Sequence, residues 1–124
     1  MKYIKLYEDF NGYEGLKYLL DEHTNTIGDE KKIPIGDDIY LYKSDAGSYR
    51  FIKKVNNVNV SAIQIMFRKG QQPYATNAFT LPEYRRKGIA LELLKKAEIY
   101  FEQPLNLSND VSELGSKLKK SYYK

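Results

Sequence analysis

The chain of 124 residues contains no cysteine, no tryptophan and a single histidine, His23. Without cysteine, disulfide scaffolds, cysteine-ligated zinc sites and thiol nucleophiles are excluded. With a single histidine, a serine–histidine–aspartate triad is largely excluded, and no metal site is predicted. His23 lies near the end of a predicted helix, where a positive charge is favoured, so we interpret it as a capping or surface residue rather than as a general base.

Long apolar runs are also absent. No stretch approaches the roughly 18 apolar residues that a membrane span requires. The first five residues, MKYIK, lack the apolar segment of a secretory signal. We therefore expect no membrane insertion and a cytoplasmic location, in the host cytoplasm if the gene belongs to a phage.

The composition is that of one globular domain, which we place at residues 1–124. Hydrophobic residues make up 42% and charged residues 29% of the chain, and a domain of this size can bury its own core. The formal net charge of +4 permits an acidic partner without requiring one. The basic residues are mostly lysine and accompany many tyrosines, isoleucines and asparagines, a bias of AT-rich genomes in bacteria and phages.

The middle of the chain predicts consecutive antiparallel strands. Turn residues at 45–47 and the pair Asn56 and Asn57, which tolerate positive φ angles, separate segments rich in β-branched and aromatic residues. Pro82 ends the last of these segments because it cannot donate to a strand ladder. The predicted meander therefore covers residues 39–81, with strands at 39–43, 49–55, 58–67 and 74–81.

Helical spacing appears on both sides of this meander. Apolar residues recur every three or four positions at Ala90, Leu93, Leu94, Ala97 and Phe101, which predicts an amphipathic helix over 88–102. Similar but weaker patterns predict helices over 13–23 and 110–122. Short strands are predicted at 2–7 and 105–107, and the polar segment 24–37 is predicted to be a long loop with a turn at 33–35.

Two other groups of residues have competing interpretations. Asp37 and Asp38 precede a strand and are interpreted as a turn, with contact to an amine as the alternative. Aromatic residues of the first strands alternate as sheet residues do, so we interpret them as core or sheet surface rather than as stacking platforms for nucleobases: Tyr40, Tyr42, Tyr49 and Phe51.

The segment with the clearest chemistry lies between the last strand of the meander and the amphipathic helix. Three basic residues, Arg85, Arg86 and Lys87, are followed there by Gly88. The first N–H groups of a helix are unpaired and attract anions, phosphates above all, and glycine lets a ligand approach the backbone. The residues predict either a pyrophosphate cradle or a solvated basic loop before an ordinary helix.

Residues 80–90, TLPEYRRKGIA, resemble the acetyl-CoA signature of the GCN5-related N-acetyltransferases. That signature has arginine or glutamine, two residues, glycine, one residue, and glycine or alanine, which Arg85, Gly88 and Ala90 match, with Pro82 and Tyr84 before them. The resemblance implies the α/β acyl-CoA N-acyltransferase fold, in which helices flank a mixed, mostly antiparallel central sheet. We expect it to lack the closing strands at its C-terminal end, and the strands near 74–81 and 104–108 to be parallel.

The resemblance also implies roles for individual residues. Backbone N–H groups of the signature would hold the pyrophosphate of acetyl-CoA: Arg85, Arg86, Lys87, Gly88, Ile89 and Ala90. The strand backbone around Phe79, Thr80 and Leu81 would pair with the pantetheine arm, and one of its N–H groups would polarise the thioester carbonyl. Asn109 stands where the family often has an asparagine after the last parallel strand.

The chain departs from the family pattern at its catalytic positions. The tyrosine that protonates the leaving thiolate would follow Asn109 by about seven residues, where Ser116 stands, so Tyr122 becomes the candidate catalytic acid. The strand at 74–81 contains no glutamate or aspartate that could act as the general base.

Two functions follow from the resemblance and from these departures. The first is acetyl-CoA-dependent transfer of an acetyl group to a primary amine, on a protein lysine, a small molecule or a modified base. The alternative is a catalytically degenerate protein of the same fold, such as a phage factor that binds a host protein or a nucleic acid. An uncovered edge at the strand 105–107 would favour a homodimer.

Overall fold

Six strands form one sheet in the structure, a computed structural model that describes residues 14–21, 30–44 and 46–107. Their spatial order follows the chain, with antiparallel hairpins from β1 to β5 and a parallel pair β5–β6. The strands are β1 (Glu30–Pro34), β2 (Ile39–Ser44), β3 (Ser48–Val55), β4 (Val58–Met66), β5 (Tyr74–Thr80) and β6 (Asn106–Leu107).

Three helical segments accompany the sheet. The helix α1 (Ile89–Phe101) joins β5 to β6 and confirms the amphipathic helix predicted over 88–102. A 3-10 helix at Glu14–Leu20, called here the first 3-10 helix, occupies part of the helix predicted over 13–23. A second 3-10 helix covers Pro82–Tyr84. No helix among the described residues is both long and apolar enough to cross a membrane.

The meander is confirmed and its hairpins close as their turn residues predict. Asn56 and Asn57, between β3 and β4, both adopt positive φ angles, of 50° and 66°. Asparagine tolerates this left-handed region better than most residues, which explains why the pair defines the turn.

The prediction of a long loop over 24–37 was wrong for its second half. Glu30–Pro34 forms β1, which pairs with β2 in a regular antiparallel register. The chain reverses at Gly36, Asp37 and Asp38, all at positive φ, rather than at 33–35. A polar segment acquires strand structure here because its backbone is paired by β2, and Pro34 is tolerated at the end of a strand that lies at the edge of the described sheet.

Two apolar clusters lie on opposite faces of the sheet. The face that packs against α1 carries the larger cluster, which includes the predicted sheet aromatics Tyr49 and Phe51. The face that packs against the first 3-10 helix carries a smaller one, made of Leu19, Leu20, Tyr42, Ile52, Ala62 and Phe79. The predicted strand 2–7 and helix 110–122 lie outside the described residues.

Candidate functional site

The turn from β5 into α1 presents free backbone N–H groups. The first hydrogen bond of the helix runs from the Glu92 N–H to the Gly88 carbonyl oxygen, 2.9 Å away. The N–H groups of Ile89, Ala90 and Leu91 precede it and have no partner within the helix. They carry the partial positive charge of the helix N-terminus, which favours an anion at this point.

Gly88 gives this turn its shape. The residue adopts a left-handed conformation with φ of 80°, and a side chain added there would meet no atom within 4 Å. Arg86 also lies at positive φ, 63°, whereas Lys87 between them does not. When the sign of φ alternates along the chain in this way, successive N–H groups point into one concavity. Such concavities bind phosphate oxygens.

Basic side chains surround the concavity. Arg86 and Lys87 are exposed, and the Lys87 ammonium lies 5.6 Å from the centre of the Tyr84 ring. The acidic residue in the first turn of α1, Glu92, forms an ion pair with Lys53 at 3.2 Å. Its negative charge is therefore largely balanced, and the field at the start of the helix remains favourable to an anion.

Next to this turn lies the edge of β5 that points away from β4, called here the wedge because the family resemblance implies that the neighbouring strand splays from it. Among the described residues, β5 and β6 pair at Tyr74 with Asn106 and at Ala75 with Leu107, where the described residues end. Immediately beyond, Thr76 is an extra residue in β5, because Ile65 pairs with Ala75 while Gln64 pairs with Asn77. A bulge of this kind bends a strand away from its neighbour. From Thr76 to Thr80, the edge of β5 opposite β4 faces no strand among the described residues.

The backbone of β5 defines which groups face the wedge. The Leu81 N–H donates to the Val60 carbonyl oxygen of β4 at 2.8 Å. Because antiparallel residues alternate between hydrogen-bonded and non-hydrogen-bonded pairs, the N–H and C=O of Thr80 point away from β4, into the wedge. Of the three predicted pantetheine contacts, Thr80 therefore turns its N–H toward this edge, while its carbonyl oxygen is already bonded to Arg85. The Leu81 N–H is also already bonded, and the Phe79 side chain is buried on the sheet.

Arg85 lies at the mouth of the wedge. Its Nε donates to the Thr80 carbonyl oxygen at 2.7 Å, and its guanidinium lies 5.6 Å from the centre of the Phe79 ring. The first residue of the predicted signature is thus tied back to the strand that the resemblance assigns to the pantetheine arm. This contact joins the basic turn and the wedge into one continuous surface.

A row of polar side chains crosses the sheet from β1 to β5. Five residues in register, one from each strand from β1 to β5, form what we call the polar row: Lys32, Tyr42, Arg50, Gln64 and Asn77. Tyr42 belongs to the cluster under the first 3-10 helix, so the row lies on that face. The sequence interpretation did not single out Arg50, Gln64 or Asn77.

Arg50 is the most buried member of the polar row, with 1% of its surface exposed. Its Nη1 donates to the carbonyl oxygens of Leu19 and Asp21, each at 2.7 Å, and its guanidinium lies 5.0 Å from the centre of the Tyr42 ring. Asn59 adds a bond from Nδ2 to the Leu20 carbonyl oxygen at 2.7 Å. Side chains of β3 and β4 thus hold three successive carbonyls at the end of the first 3-10 helix.

Asp37 and Asp38 form the turn before β2, as predicted. The Asp37 carboxylate accepts a hydrogen bond from the Lys96 ammonium of α1 at 2.9 Å. This bond and the charge of Lys96 lower the pKa of Asp37. The carboxylate is therefore already paired with a cation that belongs to the fold.

Other predicted site residues are placed as follows. Ile89 and Ala90 are half-buried at the start of α1, next to the exposed Gly88. Asn109 and Tyr122 lie outside the described residues. No group of histidine, cysteine, aspartate or glutamate side chains within 14–21, 30–44 and 46–107 is arranged to hold a metal ion.

Comparison with solved structures places this fold among acetyltransferases. An aminoglycoside antibiotic 6'-N-acetyltransferase from Acinetobacter haemolyticus superposes with a TM-score of 0.51 at 14% identity, over 63% of either chain. A ribosomal-protein-alanine N-acetyltransferase from Brucella melitensis superposes with a TM-score of 0.53 at 18% identity, over 62% of this chain and 65% of that one. The chain thus spans less than two thirds of each enzyme.

Sequence comparison gives the family directly. No curated protein matches this sequence. The family model described as the acetyltransferase (GNAT) family matches residues 5–116, which is most of the chain. The chain, with its N–H concavity at Gly88, therefore belongs to the GNAT family of acetyltransferases.

Proposed function

We propose that the protein binds acetyl-CoA and transfers its acetyl group to a primary amine. The observation that carries this proposal is the continuity of the anion-binding turn at Gly88 with β5, through the bond from Arg85 Nε to the Thr80 carbonyl oxygen. Phosphates suit the N–H concavity and the basic side chains around it. An extended arm that contains amide groups suits the Thr80 N–H, which points away from β4, because such an arm can add to a sheet as a further strand.

In this arrangement the protein acts mainly by positioning the two reactants. Backbone N–H groups of residues 85–90 would hold the pyrophosphate, as predicted, except that of Arg85, which already donates to the Pro82 carbonyl oxygen at 3.3 Å. The Thr80 N–H would pair with the pantetheine arm. The amine nitrogen attacks the thioester carbonyl, so a C–N bond forms and the C–S bond breaks. The amine proton passes to water, and the sulfur leaves as a thiolate that gains a proton.

The source of the proton for the thiolate stays a prediction. Tyr122 is the candidate acid, and Asn109 is the candidate contact after β6. We expect Tyr122→Phe to lower turnover while leaving CoA affinity unchanged, because only the hydroxyl of the leaving-group acid is removed. Equal turnover in the two proteins would assign the proton to water or to another group.

The acceptor is proposed only as a primary amine. By their names, the two solved enzymes act on an aminoglycoside and on the alanine of a ribosomal protein. A small amine, a protein lysine and a modified base therefore all belong in the test. The homodimer, the nucleic-acid partner and the cytoplasmic location stay predictions.

Calorimetric titration with CoA, followed by assays of acetyl transfer, tests the proposal. We expect saturable CoA binding at one site per chain and CoA release from acetyl-CoA in the presence of an accepted amine. Binding without transfer to any amine class would favour the alternative, a degenerate interaction protein. Absence of CoA binding by the folded protein would overturn the proposed transfer and leave the degenerate interaction protein.

A further inference from the structure

We infer that Lys53 is a positioning residue for phosphate binding, because it holds the Glu92 carboxylate away from the N–H concavity at Gly88. The inference rests on the proposed function, since it takes this concavity to be the place where the phosphates of CoA bind. It goes beyond that function in giving a role to a residue of β3 that lies outside the family signature.

The first step concerns where the Glu92 side chain points. Glu92 follows Gly88 by four residues, so the two lie one above the other on the same face of the helix. The Cα–Cβ bonds of a helix tilt toward its N-terminus, which directs this side chain toward the turn. Without a restraint, its carboxylate would compete with a phosphate for the N–H groups of Ile89, Ala90 and Leu91, which the helix leaves unpaired.

The second step concerns what restrains that carboxylate. Lys53 lies on the face of the sheet that packs against α1, two residues after the buried Phe51. Its Nζ donates to Glu92 Oε2 at 3.2 Å and to the Asp37 carbonyl oxygen at 2.6 Å. The bond to Asp37 anchors the ammonium to the turn before β2, outside the helix. Lys53 therefore has a fixed place, and the Glu92 carboxylate is held against it.

The third step concerns how far solvent screens this pair. The Lys53 side chain is 17% exposed and the Glu92 side chain 40%. Neighbouring residues thus shelter the lysine, while the carboxylate still reaches solvent. An ion pair of this kind adds little to stability. Its loss matters more for an anionic ligand, because it leaves the charge of Glu92 unbalanced beside the bound phosphates.

The consequence is a dependence of one residue on the other. With Lys53 in place, the Glu92 carboxylate is balanced and held off, so it affects CoA affinity little. Without Lys53, the same carboxylate repels the phosphates and competes for their N–H donors. The effect of Glu92 on CoA binding therefore depends on whether Lys53 is present.

Calorimetric titration of the full chain with CoA, in a double-mutant cycle of Lys53→Met and Glu92→Gln, tests this dependence. Lys53→Met should weaken binding roughly threefold to tenfold, because one unbalanced charge then acts on the phosphates at short range. In the wild-type background, Glu92→Gln should change the affinity by less than about twofold. In the Lys53→Met background, it should restore the affinity nearly to that of the wild type.

Two further variants and a salt series are the controls. Lys95→Met removes the same charge from an exposed position of α1, and Lys53→Arg keeps the charge, so both should bind CoA within about twofold of the wild type. The deficit of Lys53→Met relative to the wild type should shrink at high salt, because ions screen charges but do not repair a packing defect. Urea denaturation of each variant reports folding separately.

Three results would overturn the inference and leave the proposed function in place. The first is wild-type affinity in folded Lys53→Met. The second is a double variant that binds CoA as weakly as Lys53→Met, since the lysine would then act on the ligand or on the fold rather than through Glu92. The third is an equal effect of Glu92→Gln in both backgrounds, which describes two independent charges. If the wild type itself does not bind CoA, the proposed function fails and the inference fails with it.

Should Lys53→Met fail to fold, Lys53→Gln replaces it in the same cycle. The glutamine amide is neutral but still offers an N–H donor to the Asp37 carbonyl oxygen. Its affinity for CoA should fall, and Glu92→Gln should restore it, as in the first cycle. Wild-type affinity in Lys53→Gln, or no restoration, would again contradict the role of Lys53.

Discussion

The two faces of the sheet differ in polarity. The face under α1 is apolar from Ile39 to Leu107 and contains a continuous aromatic cluster with Tyr49, Phe51 and Phe101. The face under the first 3-10 helix is apolar at one end and carries the polar row at the other. Burial alone accounts for the first face. The second face also buries a charged group, Arg50, whose cost is offset by its bonds to the Leu19 and Asp21 carbonyl oxygens.

The largest effect should come from the apolar face. Phe51 is fully buried, with its ring 6.0 Å from that of Phe101. We expect Phe51→Ala to lower the free energy of unfolding by about 3–5 kcal/mol, because it opens a cavity in the core. Urea denaturation measures the change. Val58→Ala, at an exposed strand position, should change it by less than about 0.5 kcal/mol.

Arg50 tests whether the polar row also stabilises the fold. Arg50→Met keeps a long side chain but leaves the carbonyls of Leu19 and Asp21 without their donor. We expect a loss of about 2 kcal/mol in the same denaturation experiment, since orphaned buried groups cost about 1–3 kcal/mol each. The exposed Arg68→Met is the matched control. Equal stability of the two variants would show that these bonds are no better than bonds to water.

Substitutions at Gly88 and Gly70 distinguish an effect on CoA binding from an effect on backbone strain. Gly88 and Gly70 have nearly the same φ, 80° and 83°, and neither has an atom within 4 Å of an added side chain. Aspartate at either position therefore imposes similar backbone strain. Gly88→Asp should weaken CoA binding at least tenfold, about 1.4 kcal/mol, because a carboxylate enters the phosphate concavity.

Calorimetric titration of both glycine variants provides the check. Gly70→Asp should bind CoA as the wild type does. Unchanged affinity in folded Gly88→Asp would remove the turn from the binding site. An equal loss in both variants would attribute the effect to backbone strain rather than to the lost concavity.

The smallest effect should come from the ion pair between Asp37 and Lys96. Since the hydrogen bond from Lys96 lowers the pKa of Asp37, the pair stabilises the protein fully above the ordinary aspartate pKa, about 3.9. That contribution is lost as the pH falls through the lowered value. Urea midpoints of wild type and Asp37→Asn should differ slightly at pH 7, and the difference should shrink as the pH falls below the ordinary aspartate pKa of about 3.9. A difference that stays unchanged in acid would assign the effect to the turn backbone, for which Asp38→Asn is the control.

The sequence predicts the elements whose signals are local. The spacing from Ala90 to Phe101 and the two asparagines at 56–57 each depend on a short stretch of chain, and the structure confirms the helix and the hairpin. β1 could not be predicted this way, because its polar residues become a strand only through pairing with β2.

The polar row escaped prediction for a related reason. Arg50 and Asn77 are neighbours of Gln64 only because the hairpin registers bring them together. A register across several strands is a property of the assembled sheet and depends on each bulge along the way. Polar residues within strands that otherwise look apolar were the available signal, and a single chain does not say which of them share a row.

Thr76, the extra residue of β5, interrupts the alternation of side chains between the two faces of the sheet. Ala75 faces the α1 side, yet Ala78 faces that side too, although an odd number of steps separates them. Phe79, an even number of steps from Ala75, faces the opposite side. Deleting Thr76 would therefore leave Asn77, Ala78 and Phe79 on their present sides, because simple alternation from Ala75 already gives them. What would be lost is the bulge, and with it the local bend that the extra residue imposes on β5.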